Sequence, residues 1–254
     1  MRGVAGFPVW FVLVAALALA VAPFREAGSE GVRKVTLAYF GHSTFLITAP
    51  DGTTILTDPF DRSVGYPMPD VQPSVVTVSH EHFDHNYVQM AKGNPKVIRG
   101  LKDGGKDWAQ VREQVGKVTI TTVPTYHDGT KGSQRGKNAI FVFAMDGLRL
   151  AHLGDLGHVL AEDQVKAVGQ VNVVLIPVGG FYTIDAKEAD RVLAQLRPQI
   201  AIPMHFRTEA NASWPIAPVD EFLKGKTNVK RVGHQVDLPA ELPKAMEIWV
   251  MSYK

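Results

Sequence analysis

Between Ser79 and Asn86 the chain reads Ser-His-Glu-His-Phe-Asp-His-Asn. Four side chains that bind cations well, His80, His82, Asp84 and His85, fall within six residues. Neutral imidazole and ionised carboxylate are the usual ligands of Zn²⁺ and related borderline cations. Only 9 histidines occur in 254 residues and three of them lie here, so a chance clump of polar loop residues accounts poorly for the run. Residues i and i+2 at a strand end point the same way, so His80 and His82 can reach one cation. Asp84 and His85, in the turn beyond, can be swung toward a second. The run is not the helical His-Glu-x-x-His motif, because Asp84 stands where that motif needs its second His.

Three more ligand-type residues follow strand-like segments. His127 comes just after Lys117 to Val123 and Pro124, His205 just after Ile200 to Met204, and Asp155 sits in His152-Leu-Gly-Asp-Leu-Gly-His158. Each has an ordinary reading alone: a loop histidine, or an Asp capping a helix. Four separated strand ends carrying such groups read better as one converging site. Their number suits two cations about 3.5–4 Å apart, as in two-metal hydrolases. Asp58 is either a turn residue or a carboxylate that orients a metal-bound imidazole. His42, beside Gly41, is a ligand, a substrate contact or a satisfied strand histidine.

The elements that must carry these groups are mostly strands. Ser74 to Val78 reads as a buried strand, and Asn86 to Lys92 as the start of a helix. Val35 to Ile47 and Thr53 to Thr57 read as two strands of a hairpin, with a turn at Pro50-Asp51-Gly52. Residues 60–73, with three prolines, read as a loop, Lys96 to Arg99 as a strand and Asp107 to Val115 as a helix. The Gly-rich basic loop 128–137 holds Lys131, Arg135 and Lys137. It is either a plain solvated loop or a cradle that binds an anion through exposed N–H groups and cations. Ala139 to Ala144 and Leu148 to Leu153 flank Asp146-Gly147, a second hairpin. Helices are expected over Ala161 to Val168, Ala186 to Leu196 and Val219 to Leu223, and strands over Val171 to Val178 and Glu247 to Met251.

Composition narrows the classes. A chain of 254 residues, 45% of them hydrophobic, can bury a large core. Charge is nearly balanced, 27 basic against 25 acidic, which gives no general signal for nucleic acid. Cysteine is absent, which removes disulfides, catalytic thiols and thiolate ligands, so any metal must be held by His and carboxylate. Residues 1–22, with Arg2 followed by an apolar run and Ala-x-Ala spacing, read as a signal peptide or an uncleaved membrane anchor. Residues 23–34 read as a linker and 35–254 as one domain. The expected location is therefore periplasmic or extracellular, or tethered to a membrane through residues 1–22 alone.

The order His80-x-His82-x-Asp84-His85, His127, Asp155, His205 resembles the metallo-β-lactamase superfamily. Gly41-His-Ser-Thr-Phe45, His152-Leu-Gly-Asp155, Ile176-Pro-Val-Gly-Gly-Phe-Tyr-Thr183 and Ile202-Pro-Met-His205 are similar to its branch of ascorbate-6-phosphate lactonase-like proteins and related metal-dependent hydrolases. The resemblance spans residues 35 to about 208. It implies an α/β fold, a four-layer αββα sandwich with the site at one edge between two sheets. It also implies that His80, His82 and His127 hold one cation and Asp84, His85 and His205 the other, with Asp155 bridging and Asp58 as a structural carboxylate. The cofactors would be two divalent cations, Zn first, with Mn or Fe as alternatives. The expected activity is hydrolysis of an ester, lactone, amide or phosphodiester in a small-molecule substrate, by a hydroxide held between the cations. Asp84 would orient that nucleophile as the catalytic residue, with His42, His152 and Tyr182 as weaker candidates for substrate or supporting contacts. A nuclease on the same scaffold and a non-enzymatic metal-binding exported protein are the alternatives. Oligomeric state has no signature in the sequence.

Overall fold

In a computed structural model of the chain, residues 1–3, 6 and 34–254 are described. The expected leader or anchor and most of the linker lie outside them. Among the described residues no helix is long and apolar enough to cross a membrane.

The first sheet is built early in the chain, from β1 (Thr36–Gly41), β2 (Thr44–Thr48), β3 (Thr54–Thr57), β4 (Val75–Val78) and β5 (Lys96–Arg99). A short ribbon, β6 (Leu101–Lys102) and β7 (Asp107–Trp108), leads to the second sheet. That sheet takes β8 (Arg112–Val115), β9 (Val118–Tyr126), β10 (Lys137–Met145), β11 (Leu148–His152), β12 (Val173–Pro177), β13 (Ile200–Met204) and β14 (Val229–Val232). The chain then returns to the first sheet with β15 (Gln235–Asp237) and closes the second with β16 (Glu247–Met251). The orders are β15-β1-β2-β3-β4-β5 and β14-β16-β13-β12-β11-β10-β9-β8. Helices α1 (Glu162–Val168), α2 (Ala186–Leu196) and α3 (Val219–Leu223) belong to the second half.

The central strands β4, β12 and β13 are buried on both faces, as the layers require. In β3 and β4, Ile55 and Val75 join the large core between the sheets, while Leu56, Val76 and Val78 face a second cluster with Phe60, Val64, Tyr66 and Met90. Successive side chains point to opposite faces, so one strand serves two cores. α2 buries Ala189, Val192, Leu193 and Leu196. Its start is fixed by Asp185, whose carboxylate accepts from Lys187 N and Glu188 N at 2.9 Å each.

Three expectations are corrected. The helix expected over 107–115 is strand: Gly116, at φ 55°, turns β8 back so that it pairs antiparallel with β9. Pairing and the half-buried Val111 and Val115 outweigh helix propensity here. The helix expected from Asn86 is a single 3-10 turn, Val88–Met90. Tyr87 N bonds Pro59 O and Lys92 N bonds Val71 O, which hold that segment against the 60–73 loop. The outer layer over the first sheet is therefore thin, made of loop and 3-10 turns. The long first strand breaks at Gly41-His42-Ser43 into β1 and β2. Gly41 has φ 104°, and a Cβ there would lie 2.2 Å from the Tyr66 ring.

Candidate metal centre

Apart from His152, the last residue of β11, the candidate residues follow the C-terminal ends of strands at one edge of the sandwich. His42 follows β1, Asp58 follows β3, and His80 to His85 follow β4. His127 follows β9, Asp155 β11, Tyr182 β12 and His205 β13. The strand ends are strained. His42, Asp58 and His205 have φ of 52°, 38° and 51°, the left-handed region that costs a side-chain-bearing residue energy. His205 N bonds His42 O at 2.8 Å and Asp58 N bonds Thr77 O at 2.9 Å, contacts that hold the strain in place.

Three groups of donors lie close enough to hold a cation, but in that of Asp58, His80 and His85 both Asp58 oxygens already accept hydrogen bonds from Ser79 and His85, which leaves two. His80, His82 and His127 present ligand atoms within 4.8 Å of one another, as do His42, Asp84, His85 and His205. Asp155 stands between them, 1% exposed. Its Oδ2 is 3.1 Å from His127 Nε2, 3.3 Å from His205 Nε2 and 3.9 Å from His80 Nε2. Its Oδ1 is 3.2 Å from His85 Nε2.

Asp58 works from behind. His85 Nδ1 lies 2.9 Å from its Oδ2, and a carboxylate only accepts, so Nδ1 carries the proton. Ser79 N and Oγ donate to Asp58 at 2.8 and 2.5 Å. With its hydrogen used, Ser79 Oγ accepts from His80 Nδ1 at 2.9 Å. One carboxylate thus sets two tautomers, and a neutral imidazole so bound turns its Nε2 lone pair inward. Among the described residues the buried Nε2 atoms of His80, His85 and His205 make no well-formed hydrogen bond and face the Asp155 carboxylate, at 3.2 to 3.9 Å. Buried orphans of this kind are costly unless something else binds them. This donor set fits a divalent cation.

The electrostatics agree. Burial lowers the pKa of His80 and His82, so both are neutral near pH 7 and free to ligate. His42 falls to about 4, through burial and the neighbouring His205, against the opposing pull of its bond to Asp84. Burial works against charge on His85, yet Asp155, Asp84 and the bond to Asp58 outweigh it and raise its pKa well above the ordinary value. Burial likewise opposes ionisation of Asp155, and His205, His85 and His127 overcome it. Without a cation, a proton on His85 offsets part of the carboxylate charge.

His42 and Asp84 form one unit, with Nε2 3.0 Å from Oδ2. His152 lies away from the donors. Its Nε2 meets Ser43 O at 2.8 Å and its Nδ1 accepts from Gly154 N at 3.2 Å, so it braces the turns that carry His42 and Asp155. Asp155 caps no helix. Its N–H donates to Asn138 Oδ1 at 3.0 Å, and Asn138 also bonds Leu153 O and Thr125 Oγ1.

A cavity of about 740 Å³ opens over the donors, lined by His82, Asp84, His127, Asp155, Arg135 and Tyr182 among others. Trp214 lines the cavity too and Ser79 lies buried behind the donors, and sequence reading gave a role to neither. Ser79 is legible only once Asp58 is known to lie beneath it. The tryptophan of Ser213-Trp214-Pro215 sits in a stretch without periodicity. The N–H groups of the basic loop form no open cradle for anions, which leaves only its side-chain cations for that role. Asp128 accepts from Thr130 N, Thr130 Oγ1, Gly132 N, Gln134 N and Arg135 N at 2.7 to 3.0 Å, so those N–H groups are taken.

Comparison with known proteins accords with this geometry. The model of the β-lactamase superfamily domain matches residues 36–205. A metal-dependent hydrolase of the UPF0173 group from Anaeromyxobacter is 30% identical, over 78% of this chain and 84% of that one. One from Pyrococcus furiosus is 30% identical over 75% and 91%. Among solved structures, a Thermotoga maritima protein described as a candidate Zn-dependent hydrolase of the metallo-β-lactamase superfamily is 39% identical. It covers 85% of this chain and 98% of its own, with a TM-score of 0.69. A Parabacteroides distasonis protein, 17% identical with a TM-score of 0.59 over 85% and 92%, shares the fold. With two sheets meeting at a His/Asp edge and relatives of this kind along most of its length, the chain belongs to the metallo-β-lactamase superfamily and is a metal-dependent hydrolase.

Proposed function

We propose that the site holds two divalent cations and hydrolyses an ester, lactone, amide or phosphodiester of a small molecule. His80, His82 and His127 would hold one cation, Asp84, His85 and His205 the other, and Asp155 would touch both. The observation that supports this reading is the set of inward Nε2 atoms of His80, His85 and His205, the first two oriented by Ser79 and Asp58, which among the described residues face the Asp155 carboxylate and make no well-formed hydrogen bond. Borderline donors of His and Asp favour zinc, with manganese or iron also acceptable to them. Such cations bring a water to its hydroxide form near neutral pH and polarise the bond under attack.

The protein's own groups do the rest. Asp84, fixed by His42, offers an ionised oxygen at the cavity floor that can orient the attacking water. Burial would raise its pKa, but His85 and the bond to His42 bring it far below the usual carboxylate range. It is better suited to accepting a hydrogen bond than to storing a proton. Asp155 keeps its charge facing the imidazoles and so fixes where positive charge sits. The apolar run at residues 1–22 supports an exported or membrane-tethered location for this chemistry.

The test is elemental analysis of protein purified without added metal, followed by a panel of ester, lactone, amide and phosphodiester substrates. Two equivalents per chain and turnover of at least one class are expected. Protein saturating at one equivalent would overturn the two-cation reading. His85→Ala should keep its circular dichroism spectrum and lose turnover by at least about 10³-fold, the scale expected when a group stabilising the transition state is removed. Undiminished turnover in that variant, metal-loaded, would overturn the role given to His85.

A further inference from the structure

The rim of the cavity has features that metal binding does not require. Three aromatic rings, Phe83, Trp214 and Tyr182, line it, and a fourth, Phe181, packs against Tyr182 outside the lining. Phe181 and Tyr182 have centroids 4.7 Å apart, Tyr182 and Trp214 6.1 Å, and Trp214 and Phe83 6.5 Å. Two of them are left open to solvent, Phe83 at 55% and Phe181 at 61% exposure. Phe181 also holds φ 59°, a strained backbone for an aromatic residue. Exposed aromatics gain little for the fold, least of all Phe181 on its strained backbone, and a wall of them beside a reactive centre is a surface for a flat apolar group.

A single cation stands against this wall. The Arg135 guanidinium carbon lies 5.8 Å from the Tyr182 ring centroid, and the residue lines the same cavity as Asp84 and Asp155. Among the described residues it makes no ion pair. The other acid at the rim, Glu81, is taken by Arg99 at 2.7 Å. Arg135 is also held in position, because its own N–H and that of Gln134 bond Asp128 at 2.7 and 3.0 Å. A guanidinium stacked on a ring, with its backbone pinned and no carboxylate partner, is prepared to bind one in two-pronged fashion.

We propose that the substrate carries a flat apolar body and one anionic group, the body lying on the Phe181–Tyr182–Trp214–Phe83 wall and the anion on Arg135, with the hydrolysable bond over Asp155. This rests on the hydrolase reading for the last clause only, since the wall and Arg135 stand independently of the cations. The cavity volume of about 740 Å³ falls within the range of sites that take a ligand of drug size. The anion is a carboxylate or an equivalent oxyanion.

Binding, read without turnover, separates failure of this inference from failure of the hydrolase reading. Benzoate, its neutral counterpart benzamide, and acetate are titrated into the metal-loaded protein by calorimetry. Benzoate should bind more tightly than either. In Arg135→Gln the benzoate-to-benzamide affinity ratio should fall about tenfold or more, the scale of a charge-assisted pair. Arg135→Lys should recover part of it. A ratio unchanged in Arg135→Gln would show that the cations alone hold the carboxylate and would overturn the role of Arg135. Acetate binding as tightly as benzoate would overturn the role of the wall.

Discussion

At the scale of single residues, the centre depends on a carboxylate that no cation would touch. Asp58 is fully buried and ties down Ser79 N, Ser79 Oγ and His85 Nδ1 at once. Its two oxygens only accept, and that is what forces both imidazole tautomers. Asp58→Asn keeps the shape and replaces one acceptor with a donor. An amide nitrogen in place of Oδ1 would face Ser79 N–H, a backbone donor that cannot be reversed; in place of Oδ2 it would face both Ser79 Oγ–H and His85 Nδ1–H, with relief from moving a ring proton to Nε2, where it blocks ligation. Metal affinity should fall about 10–100-fold, as for other partners of ligand histidines. Competition with a fluorescent chelator reads this directly, and unchanged affinity would show that the tautomers are set by something else.

At the scale of elements, every candidate group leaves a strand end, and the strands explain what the sequence makes legible. Ser74 to Val78 followed by a dense His/Asp run, and the Asp146-Gly147 hairpin before Asp155, are local signals, readable because periodicity and turn chemistry act over a few residues. The break at Gly41-His42 is different. It depends on Tyr66 packing over Gly41, a contact between residues far apart in sequence, and so the sequence places His42 within one long strand and leaves its role open. The bonds of Asn138 to the 153–155 turn are equally long-range. The strand at 112–115 was hidden by residues of good helix propensity, overruled by pairing with β9. Gly154 shows how narrow the element geometry is. It has φ 55°, and a Cβ there would fall 2.3 Å from Asn138 Oδ1 and 2.7 Å from Ser79 Oγ. Gly154→Ala should therefore cost about 2 kcal/mol or more in stability, from backbone strain and overpacking combined. It should also weaken metal binding, because Asp155 is the next residue. Chemical denaturation with and without metal measures both, and a neutral substitution would mean the turn is far more pliant than its packing implies.

At the scale of the whole molecule, the donors come from both halves of the sandwich. His42, Asp58 and the His80–His85 run hang from the first sheet, and His127, Asp155 and His205 from the second. Closing the two sheets on their shared core therefore gathers several ionisable groups in a space shielded from water, and folding becomes coupled to pH. The His42 imidazole has a pKa of about 4 in the folded protein against an ordinary value of 6.5, with burial the largest cause. Between those two values the unfolded chain takes up a proton that the folded chain refuses. Stability is therefore full above about pH 6.5 and is lost as pH falls toward about 4, at about 1.4 kcal/mol per pH unit for each such group. His80, His82 and His152 are shifted in the same direction and steepen the loss. His85, shifted up, contributes stability that is fully present below 6.5 and fades only at higher pH, so it adds no slope in this window. In chelator-treated protein, where cations do not compete with protons, the unfolding free energy should fall steeply from pH 6.5 to 4.5. His42→Gln, which keeps a donor for Asp84 and removes the titrating ring, should show a shallower fall by about one proton's worth. Identical slopes for the two proteins in urea titrations across that range would mean that His42 is protonated in the folded state, and that the two sheets leave its ring open to water.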